Sequence, residues 1–147
     1  MMKKPIVLFV KGEQIYKGAQ PETTELITEG LMEAEDGKII LSYEETELTG
    51  MKGTTTRFIL EGETVVLERT GMIQSQMLFE QGKRSSSLYE TPWGTMVVDI
   101  ATTRLARRLD ERGGVMEIAF TIAVNHQVTG ENRFKVRVKE QAKKGAP

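Results

Sequence analysis

Between Val115 and Asn125 every second residue is apolar: Met116, Ile118, Phe120, Ile122 and Val124 share one face, and Glu117, Ala119, Thr121 and Ala123 the other. A period of two is what a strand with one buried side requires. Asn132 to Glu140 repeats the pattern, with Phe134, Val136 and Val138 alternating with Arg133, Lys135, Arg137 and Lys139. In the stretch that joins the two, Thr129-Gly130 predicts a short hairpin connection. Asp36-Gly37, between Thr24 to Glu35 and Lys38 to Glu45, predicts a tight turn.

Shorter segments read as strands over Ile6 to Val10, Thr54 to Glu61, Thr64 to Thr70, Ser75 to Glu80, Arg84 to Thr91 and Thr95 to Thr103. Gly53, Gly62, Gly71, Gly82 and Gly94 punctuate them at a regular interval. In Thr103 to Arg112, Leu105 and Leu109 also fit a helical spacing, but the alternation favours one long strand running into a turn at Gly113-Gly114. The expected fold class is all-β: an antiparallel meander closed into a barrel of about eight to ten strands. Residues 1–140 are expected to form a single β-barrel domain and 141–147 a flexible C-terminal tail.

Composition narrows the classes. At 39% hydrophobic and 28% charged the chain has the apolar content of a folded domain. Twenty basic against twenty-one acidic residues leave a formal charge of -1, so no global field favours nucleic acid or an anionic membrane. The absence of cysteine removes disulfides, thiolate ligands and thiol nucleophiles, and suits a cytoplasmic location. Met1-Met2-Lys3-Lys4 precedes an apolar run, but Lys11, Gly12 and Glu13 end that run well short of the roughly 7–15 residues of a signal core or the about 20 of a membrane span.

A set of local sequences carries a resemblance. Ser42-Tyr43-Glu44-Glu45-Thr46-Glu47-Leu48-Thr49-Gly50, Leu67-Glu68-Arg69-Thr70-Gly71 and Tyr89-Glu90-Thr91-Pro92-Trp93-Gly94, with Glu25-Leu26-Ile27-Thr28-Glu29-Gly30 and the closing Asn132 and Lys139-Glu140, resemble the bacterial YwiB-like family. The likeness covers nearly the whole chain and implies a lipocalin-like (calycin) β-barrel. It implies no activity. Trp93 stands where the resemblance implies a smaller aromatic.

Alternation places Tyr43 and Glu45 on the face of Ile39 and Leu41, and Arg69 on the face of Val65 and Leu67. Both faces should point inward, where a charge must be paired. Tyr89 and Thr91 join them from the Ser85, Ser87, Tyr89, Thr91 face, with Trp93 in the turn beyond as a lid or an exposed contact. Two roles follow from the same residues. They plug the barrel end by hydrogen bonding, or they form a ligand-binding end where Arg69 grips the carboxylate or phosphate of a small anionic or amphipathic molecule.

A second class of function is a docking module for RNA or protein, built on Arg104, Arg107, Arg108 and Arg112 together with Arg133, Lys135, Arg137 and Lys139. Asp110 and Glu111 dilute that band and no aromatics interleave it. A third is a carboxylate-based enzyme using Glu29, Glu45 or Glu68, should burial raise an acid's pKa. His126 is the sole histidine and no Gly-x-Ser-x-Gly is present, so neither a typical zinc site nor a hydrolase triad is expected. Thr54-Thr55-Thr56 and Ser85-Ser86-Ser87 lack the glycine-rich strand-to-helix context of a phosphate loop. No metal and no cofactor is assigned.

Overall fold

The structure, a computed structural model, describes residues 2–16 and 20–141. Ten strands follow one another in chain order: β1 (Met2–Ile15), β2 (Glu22–Glu35), β3 (Lys38–Glu44), β4 (Thr54–Glu61), β5 (Thr64–Gly71), β6 (Gln74–Glu80), β7 (Arg84–Thr91), β8 (Gly94–Asp110), β9 (Gly113–Val124) and β10 (Gln127–Glu140), with one 3-10 turn at Glu47–Thr49. Each strand pairs antiparallel with the next, and β10 closes on β1, so the meander is a closed barrel with no free edge.

The alternation decides which side of each strand enters the core. Ile6, Leu8, Met32, Leu41, Phe58, Leu60, Leu67, Phe79, Met116 and Ile118 are among the fully enclosed side chains. Each is worth about 1.5–3 kcal/mol relative to exposure. Phe79 tilts against Phe120 at 4.8 Å between ring centroids, and Phe120 against Phe134 at 5.6 Å, so three aromatics from β6, β9 and β10 bridge the interior. Close packing also explains a glycine: a Cβ at Gly30 of β2 would lie 2.5 Å from the Ser42 carbonyl oxygen on β3 and would collide with Leu8 Cδ1.

Three expectations change. The β9–β10 connection is the two-residue turn Asn125-His126, both with positive φ (49° and 69°), as a right-twisted hairpin demands. Thr129-Gly130 instead forms a bulge inside β10, where the register slips between Val128 and Gly130. At the other end of β9 the chain turns at Glu111-Arg112, and Gly113 already pairs with Asp110. The first strand is 14 residues long, because the polar Lys11 to Gln14 pair with β2 and β10 as fully as the apolar residues do. Backbone pairing is indifferent to the side chains that end an apolar run.

Of the predicted tail, Gln141 is described and is tied down: its backbone N–H donates to the Pro5 carbonyl and its side-chain amide to that of Ile6. Residues 142–147 lie outside the described residues. Among the described residues no helix is long and apolar enough to cross a membrane.

Candidate functional site

At the end of the barrel that carries the β3–β4, β5–β6 and β7–β8 turns, the inward row changes from apolar to polar. The strand registers bring Tyr43 opposite Thr56, Thr56 opposite Arg69, Arg69 opposite Ser75, and Ser75 opposite Tyr89, with Met96 next across β8. The result is a continuous polar belt at one level of the wall. Alternation within each strand exposes Thr56 and Ser75 to the same reasoning as Tyr43: both are polar residues in an inward series, with Phe58 and Leu60 in one case and Met77 and Phe79 in the other.

The belt borders a cavity of about 520 Å³. Tyr43, Glu45, Arg69 and Tyr89 line it, Leu26, Met77, Val98, Phe120, Ile122 and Phe134 provide its apolar walls, and Leu48, Thr49 and Met51 from the β3–β4 connection lie at its mouth. Four of the predicted ligand-contacting residues thus meet in one space. Thr91 and Trp93 do not. The Thr91 hydroxyl donates to the Gly94 carbonyl and accepts from the Trp93 N–H, which fixes the β7–β8 turn, and Trp93 stands 86% exposed outside the cavity.

Glu45 is buried, with its side chain only 1% exposed. Its two oxygens accept from Thr49 Oγ1 at 3.0 Å and from Thr56 Oγ1 at 2.5 Å. The Arg69 guanidinium approaches at 4.0 Å, close enough to balance the charge without a hydrogen bond through Nε. The first bond also anchors the 3-10 turn, where Thr46 caps the Leu48 N–H and Gly50 closes the turn at φ 75°. A carboxylate in the wall therefore positions the chain over the mouth.

Burial pushes the Tyr43 phenol well above its ordinary pKa, and the neighbouring Glu45 carboxylate adds to this against the opposing pull of Arg69. Tyr43 remains a neutral hydroxyl at physiological pH. Because the folded state holds this proton more tightly than the unfolded chain, the associated stability is whole below the unfolded phenol's pKa of about 10 and is lost as pH rises through the folded value. Denaturant unfolding of the wild type is expected to show stability falling by about 1 kcal/mol between about pH 9 and pH 11 from this group. Tyr43→Phe should flatten that slope, and an unchanged slope would remove Tyr43 as its source.

The other predicted acids are placed elsewhere. On β2 the inward series is Leu26, Met32 and Ala34, so Glu29 faces solvent. Glu68 lies on the outer side of β5, 3.1 Å from Arg57 Nη1. Neither can act in the barrel, because both fall on the outward phase of their strands. His126 Nδ1 lies 3.2 Å from Asp99 Oδ2, and Ser86 Oγ donates to Asp99 Oδ1 at 2.5 Å. The carboxylate stands between hydroxyl and imidazole, whereas base catalysis on a serine needs the imidazole in the middle.

The basic band is also rearranged. A bulge between Thr102 and Arg104 reverses the phase of β8, so Arg104 and Arg108 face out while Arg107, opposite the enclosed Met116, turns to the inner side. Arg107 there donates to the Gly62 carbonyl at the end of the barrel remote from the cavity. Arg133, Lys135 and Arg137 share the outer face of β10. Acids sit among them: Glu117 lies 3.9 Å from both Arg104 and Lys135, and Glu13 lies 3.9 Å from Arg133.

Residues 9–136 match the family described as a domain of unknown function, DUF1934. The chain belongs to this family. It is 29% identical over 123 residues, 84% of either chain, to the uncharacterized β-barrel protein YwiB of Bacillus subtilis (strain 168). The crystal structure of YwiB from Bacillus subtilis superposes with a TM-score of 0.79, covering 95% of this chain and 94% of that one. Over that wider superposition identity is 19%, so the likeness to the solved structure concerns the fold. The match to DUF1934 spans β2 to β9 completely and so includes every strand of the polar belt.

Proposed function

We propose that this DUF1934 barrel is a lipocalin-like container for a small amphipathic molecule, with the anionic group of the ligand on Arg69 and its apolar body among Leu26, Met77, Phe120 and Phe134. One observation carries this. Arg69 Nε and Ser75 Oγ stand opposite one another on β5 and β6, buried and without a hydrogen-bond partner among the described residues. Buried donors are normally satisfied, and an orphan costs about 1–3 kcal/mol. Here Arg69 lines an apolar-walled space of a size usual for small-molecule sites, and Ser75 is its register partner in the wall.

Binding is favoured over catalysis because Glu45, the carboxylate that adjoins the polar belt, has each oxygen held by a threonine hydroxyl, an arrangement that fixes it as part of the wall. It is favoured over a polyanion surface because Glu13 and Glu117 interrupt the outer cations. The cysteine-free sequence supports a cytoplasmic setting. Native mass spectrometry of freshly purified protein is expected to show a mass excess that vanishes on denaturation. The anionic amphipath anilinonaphthalene sulfonate should bind with fluorescence enhancement and be displaced by decanoate. A clean apo mass together with no displaceable dye would overturn the proposal.

A further inference from the structure

We infer that the outer face of β2, β1 and β10 is self-complementary and joins two copies of this chain face to face, about a two-fold axis that runs along β1. The strand registers set out the charges in rows. Val7 of β1 lies between Glu29 of β2 and Lys139 of β10, and Lys11 lies between Glu25 and Lys135. Phe9 lies between Ile27 and Arg137. Acids therefore flank an apolar centre on one side and cations on the other.

The charges at this face are largely unsatisfied within the chain. Among the described residues Glu25, Glu29, Arg137 and Lys139 form no ion pair. Arg137 and Lys139 instead extend over the Phe9 ring, at 5.2 and 5.9 Å from its centroid. Ile27 beside it is 69% exposed, a large apolar side chain in the middle of a charged surface.

A rotation about an axis parallel to β1 exchanges the two flanks and keeps each row at its own height. Glu29 then meets Lys139 of the other copy, Glu25 meets its Lys135, and the two Phe9 rings meet at the centre beside Ile27. Lys11, like Phe9, meets its own counterpart on the axis, and the two ammonium groups lie between the two Glu25 carboxylates, which offset their repulsion. An axis across the strands would set acid on acid, so the charge pattern selects one of the two face-to-face arrangements. The same acidic flank on β2 disfavours a nucleic-acid partner, which would have to lie beside Glu25 and Glu29. A contact three strands wide is at the small end of specific interfaces and implies a weak, salt-sensitive dimer.

Sedimentation of the full chain from about 1 µM to about 1 mM tests this across the affinity range of small interfaces. The expected result is a reversible monomer–dimer equilibrium that weakens between about 50 and 500 mM salt. Glu29→Lys and Lys139→Glu should each weaken it by about tenfold or more, the scale of one interfacial charge pair. The double variant should recover dimerisation because the pair is restored in reverse, while all three keep the wild-type melting temperature. A monomer throughout, single swaps without effect, or a double variant no better than the singles would each overturn the inference. So would a monomer that binds heparin more tightly after Glu29→Lys and less after Lys139→Glu, which would assign the face to polyanions.

Discussion

Arg69→Met is expected to abolish binding of an anionic amphipath, lowering dye affinity by about 100-fold or more. Charge-assisted hydrogen bonds are worth about 1.5–3 kcal/mol each, and two on one guanidinium account for that factor. Methionine preserves most of the apolar stem, so the cavity wall stays in place while the cation is removed. The substitution also leaves Glu45 without its compensating charge, although Thr49 and Thr56 still donate to it. Some loss of stability is expected for that reason. Arg69→Met combined with Glu45→Gln removes both charges and separates the two effects: stability should recover while binding stays lost. Affinity within about threefold of wild type in the double variant would show that Arg69 is a wall component and not the anchor. Lysine is not expected to substitute, because a point ammonium cannot reproduce the planar fork.

Phe58→Ala should produce the largest loss of stability of any single change considered, about 3–5 kcal/mol. Phe58 is 1% exposed and meets Phe134 edge-on, with ring centroids 6.4 Å apart. The void would open beside an aromatic that also lines the ligand space, so Phe134 loses its support on the side away from the cavity. For a chain of this size the melting temperature should fall by about 10 °C or more. Leu88→Ala is the control: Leu88 is 55% exposed on the outside of β7, and its loss should change stability by no more than about 0.5 kcal/mol. Similar melting temperatures for the two variants would mean that the polar end and the ladder hydrogen bonds, and not the aromatic bridge, hold the barrel together.

The closed antiparallel architecture was legible because the strands alternate and most turns are marked by glycine or by a pair such as Asp36-Gly37, the Asn125-His126 turn being the exception. Inward placement of Tyr43, Glu45 and Arg69 followed from counting by twos from neighbouring apolar residues, while Tyr89 was grouped with them from the face of Ser85, Ser87 and Thr91. The same count applied to Thr56 and Ser75 would have extended the belt, but small hydroxyl residues are ordinary on strands and carry no warning. Counting failed at two kinds of place. Where a bulge adds a residue, as at Thr103 and at Thr129, the phase reverses without any change in composition, which is how Arg107 came to be grouped with outward cations. Where apolar residues fall on both phases, as Leu26 and Ile27 do before Glu29, an acid's side of the sheet was open, whereas the alternation of Val65, Leu67 and Arg69 already places Glu68 outside.

What the sequence determined by itself was local: the period of two, most of the turns, and hence which residues share a face of one strand wherever no bulge intervenes. Which residues of different strands share a level was decided only by the tertiary structure. Register depends on how all ten strands stagger to close the barrel, and that is a property of the whole ring. The polar belt from Tyr43 to Tyr89 and the opposed flanks on β2 and β10 are both facts of register, so residues far apart in the chain became a site only when the barrel closed.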